Sequence, residues 1–217
     1  MPTQHRAIQS RQALIRSAAE TFLEKGVPAA GMVEISRRAR LSKGALYFHF
    51  TSKDDLTLAV RDAALATLQE IEDVFTRSPQ PLAVAVRDFT VELFGRVESD
   101  AVLRAGLRLR PETAPGLGIY ALEQRWYALF LDKAVTCGTG GPVGPHASDT
   151  EPRRTAQLLT SLVVGLLHLG SEDRTWWERE AVVGLWALLP AAPGQVSAAG
   201  LRRRRRSARP ADPDRPR

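Results

Sequence analysis

Apolar residues recur at helical spacing along most of the chain, and this pattern limits the possible folds more than any other feature. Near the N-terminus Leu14, Ala18 and Phe22 lie four residues apart. This spacing predicts an amphipathic helix, which Gly26 ends. No stretch alternates polar and apolar residues with the period of two that marks a strand. The sequence therefore predicts an all-α protein.

The same periodicity predicts eight further helical segments. Ser52 can cap the longest of them, with Asp55 three residues later as the reciprocal acceptor. The segment Gly138–Pro152 is rich in glycine and proline and predicts a mobile loop. The chain after Pro190 is low in large apolar residues and predicts disorder. The predicted helices cover 33–40, 43–50, 52–77, 82–97, 99–108, 117–137, 153–171 and 174–189.

The net charge of +6 is unevenly distributed. Residues 1–60 hold nine Lys and Arg against five Asp and Glu, and residues 61–200 hold thirteen against seventeen. A basic N-terminal segment on an acidic body indicates a polyanionic partner. The last seventeen residues hold eight against two, including Arg202–Arg206 and Arg209. This tail either adds non-specific attraction to phosphates or is inert, and both interpretations stay open.

Composition argues against secretion and membrane insertion. The N-terminus lacks the apolar segment of a signal peptide. The uncharged, mostly apolar stretch Thr155–Ser171 is shorter than the ~20 residues that span a bilayer. The single cysteine, Cys137, excludes an intramolecular disulfide and fits a reducing compartment. We therefore expect a soluble, cytoplasmic protein.

Motifs for catalysis are absent from the sequence. Cys137 has no cationic neighbour that would favour a thiolate, and Gly138–Gly144 lacks the Lys-Ser/Thr of a phosphate loop. The four histidines show no metal-ligand spacing. The sequence therefore predicts a protein that is not an enzyme, with no cofactor and no metal.

Residues 33–53 have the spacing of a helix-turn-helix. Ile35 and Ala39 supply the apolar face of a first short helix, and Leu46 and Phe50 anchor a second one inward. Small outward residues allow the backbone to approach bases, and Lys43 can meet phosphates. From the pattern alone, a plain helical hairpin is an equal alternative. The residues left facing outward are Ser42, Lys43, Gly44, Ala45, Tyr47 and His49.

The run SKGALYFHFTSK (42–53) resembles the recognition helix of TetR-family regulators. RQALIRSAAETFLEKG (11–26) resembles that family's first helix, and ALYFHFTSKDDL is most similar to its actinobacterial γ-butyrolactone receptors. AVLRAGLRLR (101–110) and Trp126 also fall where that subfamily has similar features. The resemblance implies a DNA-binding domain at 1–52, a helical ligand-binding and dimerisation domain at 53–190 and a disordered arginine-rich tail at 191–217.

The resemblance also implies residue roles. Lys43, Tyr47 and Lys53 correspond to contacts with the DNA backbone, and Gly44, Ala45 and His49 correspond to residues facing the groove. For His49, the alternative is a surface position in contact with solvent. For Arg37 and Arg38, a solvent-facing position is favoured over contacts that recognise specific bases.

Two positions depart from the family pattern. Arg40 replaces a turn glycine and is predicted to strain the turn if its φ is positive. Gly31 replaces the Thr or Ser that usually begins the second helix, which removes a cap.

The C-terminal helices are expected to enclose an effector pocket. By resemblance Trp126 is the predicted ligand neighbour, with Thr160 and His168 as possible polar contacts. A core role for Trp126 stays open, and a hydrogen-bonded core position is favoured for His168. The predicted pocket walls are Phe89, Leu93, Leu103, Leu107, Trp126 and Phe130.

Segments 153–171 and 174–189 are apolar nearly all round, which indicates more surface than one subunit covers. A homodimer formed through these helices would place two DNA-recognition helices on the two halves of a palindromic DNA site. A buried hairpin in a monomer is the alternative.

The sequence thus predicts a ligand-responsive transcriptional repressor that binds a double-stranded, palindromic DNA operator as a homodimer. A small hydrophobic effector, of the γ-butyrolactone type, is expected to release it and so to control secondary metabolism or antibiotic production. One alternative is a pseudo-receptor or a TetR-type repressor of efflux or metabolic genes that answers an antibiotic or another unrelated ligand. Another is a protein-interaction module that has lost DNA binding.

Overall fold

The computed structural model describes residues 2–109, 119–137 and 150–188. All regular structure in these ranges is helical, which confirms the predicted all-α class. We refer to α1–α3 as the head and to α4–α9 as the body. The helices are α1 Pro2–Ala29, α2 Met32–Arg38, α3 Lys43–His49, α4 Lys53–Arg77, α5 Leu82–Ser99, α6 Ala101–Leu107, α7 Ile119–Cys137, α8 Thr150–Glu172 and α9 Arg179–Leu188, with a 3₁₀ turn at Arg174–Trp177.

The head is built around the apolar stripe of α1. Leu14 and Ala18 are fully buried there together with Ile35 of α2 and Leu46 of α3. Gly26 breaks the helical path with φ 76° and ψ 159°, after which the helical run continues to Ala29. The first helix therefore ends at Gly26, as predicted, and a second short helical stretch follows it to Ala29.

Helix α4 links the head to the body. It begins where predicted, because Ser52 Oγ accepts a hydrogen bond from the Asp55 N–H at 3.0 Å. The predicted reciprocal bond is different: the Asp55 carboxylate accepts from the Thr51 N–H at 3.0 Å rather than from that of Ser52. Helix α4 packs on α1 of the head and on α5 and α6 of the body.

Helix α6 also contacts both parts of the molecule. Its seven residues pack against α4 and α5 of the body and against α1 of the head. The Asp100 carboxylate fixes its start by accepting from the N–H groups of Val102 and Leu103. A shift of α6 would therefore act directly on the head.

The C-terminal segment differs from the prediction of one helix over 174–189. Trp177 is buried, and its indole N–H donates to the Leu166 carbonyl at 3.2 Å. The ring lies so close to Gly170 that an added Cβ there would be 1.9 Å from Trp177 Nε1. Glu178 then adopts ψ 137° before α9 begins. This docking of Trp177 against α8 separates the 3₁₀ turn from α9.

Three further predictions concern the glycine- and proline-rich loop, the C-terminal tail and membrane insertion. Helix α8 begins at Thr150, so the last residues of the predicted loop 138–152 are helical. Residues 138–149 of that loop and the arginine-rich tail lie outside the described residues. None of the described helices combines the length and apolar character needed to cross a bilayer.

Candidate DNA-binding face and effector site

The outer surface of α3 carries the residues that the sequence predicts to meet DNA. Leu46 and Phe50 are buried in the head, which fixes the rotation of the helix. Ser42 caps α3, since its Oγ accepts from the Ala45 N–H at 3.0 Å. Of the predicted residues, Ser42, Lys43, Gly44 and Tyr47 are exposed, while Ala45 and His49 are half-buried.

Lys43 and Tyr47 lie next to each other on this surface. Lys43 Nζ is 5.8 Å from the centroid of the Tyr47 ring, and the Tyr47 side chain is 46% exposed. Neither side chain forms an ion pair or a hydrogen bond within the described part of the chain. Both polar ends are therefore open to an external anion such as a phosphate.

Lys53 is placed differently from Lys43. Its ammonium donates to the Pro28 carbonyl at 2.9 Å and approaches the Ala30 carbonyl at 3.5 Å. These bonds tie the start of α4 to the connection between α1 and α2. A phosphate contact by Lys53 would have to share the ammonium with these carbonyls.

Phe48 was missed by the sequence reasoning. Its side chain is 80% exposed, the largest exposed fraction among the large apolar residues of the described chain. The spacing contained the signal, because Phe48 follows Gly44 by four residues and lies opposite the buried Leu46. An aromatic ring left in water on α3 adds an apolar contact surface beside Tyr47.

The two neighbouring arginines of α2 also differ. Arg38 forms a bidentate pair with Glu24 of α1, with nitrogen–oxygen distances of 2.7 and 2.5 Å. Hydrogen bonding to this guanidinium holds the pKa of Glu24 below its ordinary value. Arg37 is exposed on the solvated face. Arg38 therefore joins α2 to α1, whereas Arg37 fits the solvated position predicted for both.

The body contains a cavity of about 470 Å³ where α5, α6, α7, α8 and the 3₁₀ turn meet. This volume is in the range of about 300–1,000 Å³ common for small-molecule sites. His168 is exposed and lines the cavity, which corrects the favoured interpretation of a core histidine. The other lining residues are Val97, Arg104, Leu107, Arg108, Leu122, Leu167, Ser171, Glu172 and Trp177.

An aromatic cluster fills the core next to this cavity. Phe89 contacts both Trp126 and Phe130, with ring centroids 5.7 and 5.6 Å apart. Trp126 is fully buried, and its indole N–H donates to Glu72 Oε1 at 3.0 Å. The other oxygen of Glu72 accepts from Arg125 Nε at 2.8 Å. The network joins α4 to α7 and satisfies both the buried carboxylate and the indole.

The predicted effector residues therefore fall in three places. Phe89, Trp126 and Phe130 form the packed cluster, with Leu93 and Leu103 also fully or nearly fully buried in the core. Leu107 lines the cavity. Thr160 lies in a separate polar groove of about 240 Å³ between α7 and α8. Leu122 lies between the aromatic cluster and the cavity, because it lines the cavity one helical turn before Trp126 on α7.

Comparison with known proteins identifies the family. The model of bacterial regulatory proteins of the tetR family matches residues 14–60, which contain α2 and α3. The A-factor receptor protein of Streptomyces griseus is 35% identical over 202 residues, covering 91% of this chain and 69% of that protein. The chain belongs to the TetR family.

Solved structures of this family share the fold of the chain. A crystal structure of a γ-butyrolactone receptor, described as ArpA-like, matches with a TM-score of 0.63 and 25% identity, over 93% of this chain and 97% of the other. CprB from Streptomyces coelicolor, solved with its operator sequence, matches with a TM-score of 0.56 and 25% identity, over 84% and 96%. These similarities confirm the resemblance to γ-butyrolactone receptors.

Both departures from the family pattern have structural consequences in this TetR-family chain. Arg40 has φ 57°, and it closes α2 with two hydrogen bonds: its own N–H donates to the Arg37 carbonyl, and the Leu41 N–H donates to that of Ser36. This is a Schellman end, whose left-handed position favours glycine. Gly31 stands at the start of α2 and supplies no side-chain cap. The turn after α2 therefore forms with its usual hydrogen bonds, although Arg40 is strained. At the start of α2, Gly31 leaves the helix without a side-chain cap.

Helices α8 and α9 of this TetR-family protein and the 3₁₀ turn between them expose five large apolar side chains. Leu158 is 60% exposed and Leu188 is 79% exposed. Further exposed apolar side chains of this C-terminal region are Leu169, Trp176 and Val183. We refer to these five residues as the apolar C-terminal face.

Proposed function

We propose that this chain is a ligand-responsive repressor that binds a palindromic operator as a homodimer in the cytoplasm. A small hydrophobic effector of the γ-butyrolactone type releases it and thereby controls secondary metabolism or antibiotic production. The observation that carries the proposal is the outer surface of α3, where a cation, small residues and two aromatic rings are exposed above a buried anchor. The operator-bound structure of the similar CprB supports it.

The predicted residues of α3 and Lys53 at the start of α4 each have a role that suits DNA. Lys43, Tyr47 and Lys53 bind phosphates and set the register of the helix. Ser42, Gly44, Ala45 and His49 face the groove, where small side chains allow close approach and the imidazole reads a base edge. Phosphate contacts give affinity for any duplex, and the groove contacts give sequence preference.

The apolar C-terminal face supports the homodimer. Exposed leucines, a valine and a tryptophan on consecutive helices are costly in water, and a two-fold copy would bury them against the same residues of the partner. Such a dimer holds two α3 helices on one side of the duplex, as a palindromic operator requires.

The position of α6 supports release by an effector. Arg104 and Leu107 of α6 line the cavity, and α6 also packs on α1 of the head. An effector that binds one arrangement of α6 more tightly shifts the equilibrium toward that arrangement. We propose Leu107 as a wall of this site, whereas Phe89, Leu93, Trp126 and Phe130 belong to the packed core and Thr160 to the separate groove.

Gel-shift titration tests the proposal. The chain is titrated against the duplex from upstream of its own reading frame and against a scrambled duplex, with and without a synthetic γ-butyrolactone. We expect preferential binding of the natural duplex and release by the lactone. Equal affinity for both duplexes, or none, would contradict the DNA-binding part. Release by an antibiotic but not by the lactone would favour the pseudo-receptor alternative.

A further inference from the structure

The cavity in the body has two chemically different walls. Leu107, Leu122 and Trp177 provide an apolar surface, whereas Arg104 and Arg108 add two cationic side chains to the lining. A cavity for a purely apolar or neutral ligand has no need of two cations. The combination indicates a ligand with an apolar part and an anionic end.

Arg104 is only partly satisfied by the protein. Its Nη1 donates to the carbonyls of Val97 and Glu98 at 2.8 and 2.7 Å, which holds the end of α5. Its Nε atom is buried and has no hydrogen-bond partner. An unpaired buried donor on a charged group is costly, so an anionic acceptor would be stabilised here.

Positive charge is concentrated around this group. Burial, followed by the nearby charges of Arg174 and Arg108, holds the pKa of Arg104 below its ordinary value. The Asp100 carboxylate caps α6, and no carboxylate of the described chain forms a salt bridge with Arg104 or Arg108. Arg108 instead donates to the Ser171 carbonyl at 3.1 Å. The Asp100 and Glu98 carboxylates offset part of this repulsion, but neither forms a salt bridge with Arg104.

We infer that the cavity binds an amphipathic monocarboxylate, whose carboxylate meets Arg104 and Arg108 and whose short apolar part lies against Leu107, Leu122 and Trp177. Guanidinium groups match a carboxylate with paired N–H donors, which a neutral lactone carbonyl matches less well. Glu172 also lines the cavity and repels a second negative charge, which favours a single anionic group. The inference rests on the proposed response to an effector, but it replaces the neutral lactone by a carboxylate as the ligand of this cavity.

Isothermal titration with octanoate and octanamide tests this inference, because the two probes have equal length and differ in charge. We expect octanoate to bind the full chain about tenfold or more tightly than octanamide. Arg108→Gln is expected to weaken octanoate binding about tenfold and to leave octanamide binding unchanged. Arg108 is exposed, so this variant keeps the packing of the core.

Arg87→Gln is the matched control. It removes the same charge from an exposed site on α5, where Arg87 pairs with Asp88 away from the cavity. It is expected to leave octanoate binding unchanged. Equal affinity for the two probes, no heat from octanoate at millimolar concentration, or equal losses in both variants would overturn the inference.

Operator binding of the wild-type chain is measured in parallel by gel shift. Failure to bind any duplex would reject the proposed function and leave the octanoate result standing. Operator binding without discrimination between octanoate and octanamide would reject only the anionic ligand.

Discussion

The head and the body hold their functional groups in different ways. The residues proposed to meet DNA are nearly consecutive, from Ser42 to Lys53, and lie on α3 of the head and at the start of α4. In the body, the cavity is lined by residues from Val97 to Trp177, brought together from four helices and a 3₁₀ turn. A local motif marks most residues of the first site, whereas the second site exists only after the helices have packed.

Polar groups are also used differently in the two parts. The head pairs Arg38 with Glu24 and Lys25 with Glu34 at its surface, where ion pairs add little stability. The body buries Glu72 and satisfies it with Trp126 and Arg125. Substitutions in the head should therefore act mainly on binding, and those in the body mainly on folding.

The largest effect is expected at Trp126. Trp126→Ala removes a fully buried ring and leaves Glu72 Oε1 without its donor, so the free energy of unfolding should fall by about 3–5 kcal/mol. Chemical denaturation followed by circular dichroism measures this change. Phe48→Ala is the control from the head, since its exposed ring should change stability by less than about 0.5 kcal/mol. Similar losses of stability in the two variants would contradict the expected difference between substitutions in the head and in the body.

The next effect concerns the apolar C-terminal face. Leu158→Glu should weaken the homodimer by about 3 kcal/mol, because the symmetric interface carries the substitution twice. Light scattering at micromolar concentration should then give the mass of one chain instead of two. Val74→Glu is the control, as Val74 is 64% exposed on α4, against 60% for Leu158. A monomeric wild-type chain would contradict the proposed assembly.

A smaller effect is expected for one cation of the head. Lys43→Ala removes one phosphate contact from each protomer of the homodimer. It should therefore weaken binding to every duplex by about 2 kcal/mol and reduce the slope of log affinity against log salt by about two units. Gel shifts at several salt concentrations measure both quantities. Lys25→Ala removes the same charge from a residue already paired with Glu34. Equal slopes for the two variants would place Lys43 outside the interface.

The sequence was most informative where structure is local. The starts of α3 and α4 follow from Ser42 and Ser52, whose caps involve residues only three positions away. Leu46 and Phe50 were correctly predicted as anchors because a helical period fixes both faces of a short helix.

The body shows where this reasoning fails. The break between the 3₁₀ turn and α9 depends on Trp177 docking beside Gly170, and nothing in the local pattern signals that contact. His168 was expected in the core because its neighbours are apolar, yet it lines the opening of the cavity. Leu107 and His168 were the predicted residues that line the cavity, and most of its other lining could not be predicted, since Arg104 and Trp177 are distant in sequence.

The smallest predicted effect isolates backbone strain in the head. Arg40 holds φ 57° at the end of α2, a conformation that costs a residue with a Cβ about 1–2 kcal/mol. Arg40→Gly removes this strain but adds about 0.5–1 kcal/mol of chain entropy to the unfolded state. The net gain in the free energy of unfolding should therefore be about 0.5–1 kcal/mol, measured by thermal melts.

Arg40→Ala separates the strain from the charge. Alanine keeps the Cβ and loses the guanidinium, so it should give no gain in stability, while both variants lose the same charge near DNA. Hydrogen exchange of the Leu41 N–H, which donates to the Ser36 carbonyl, should slow only in the glycine variant. Equal stability of the two variants would mean that Arg40 adopts φ 57° without strain, and any difference in their operator affinity would then have to arise outside this turn.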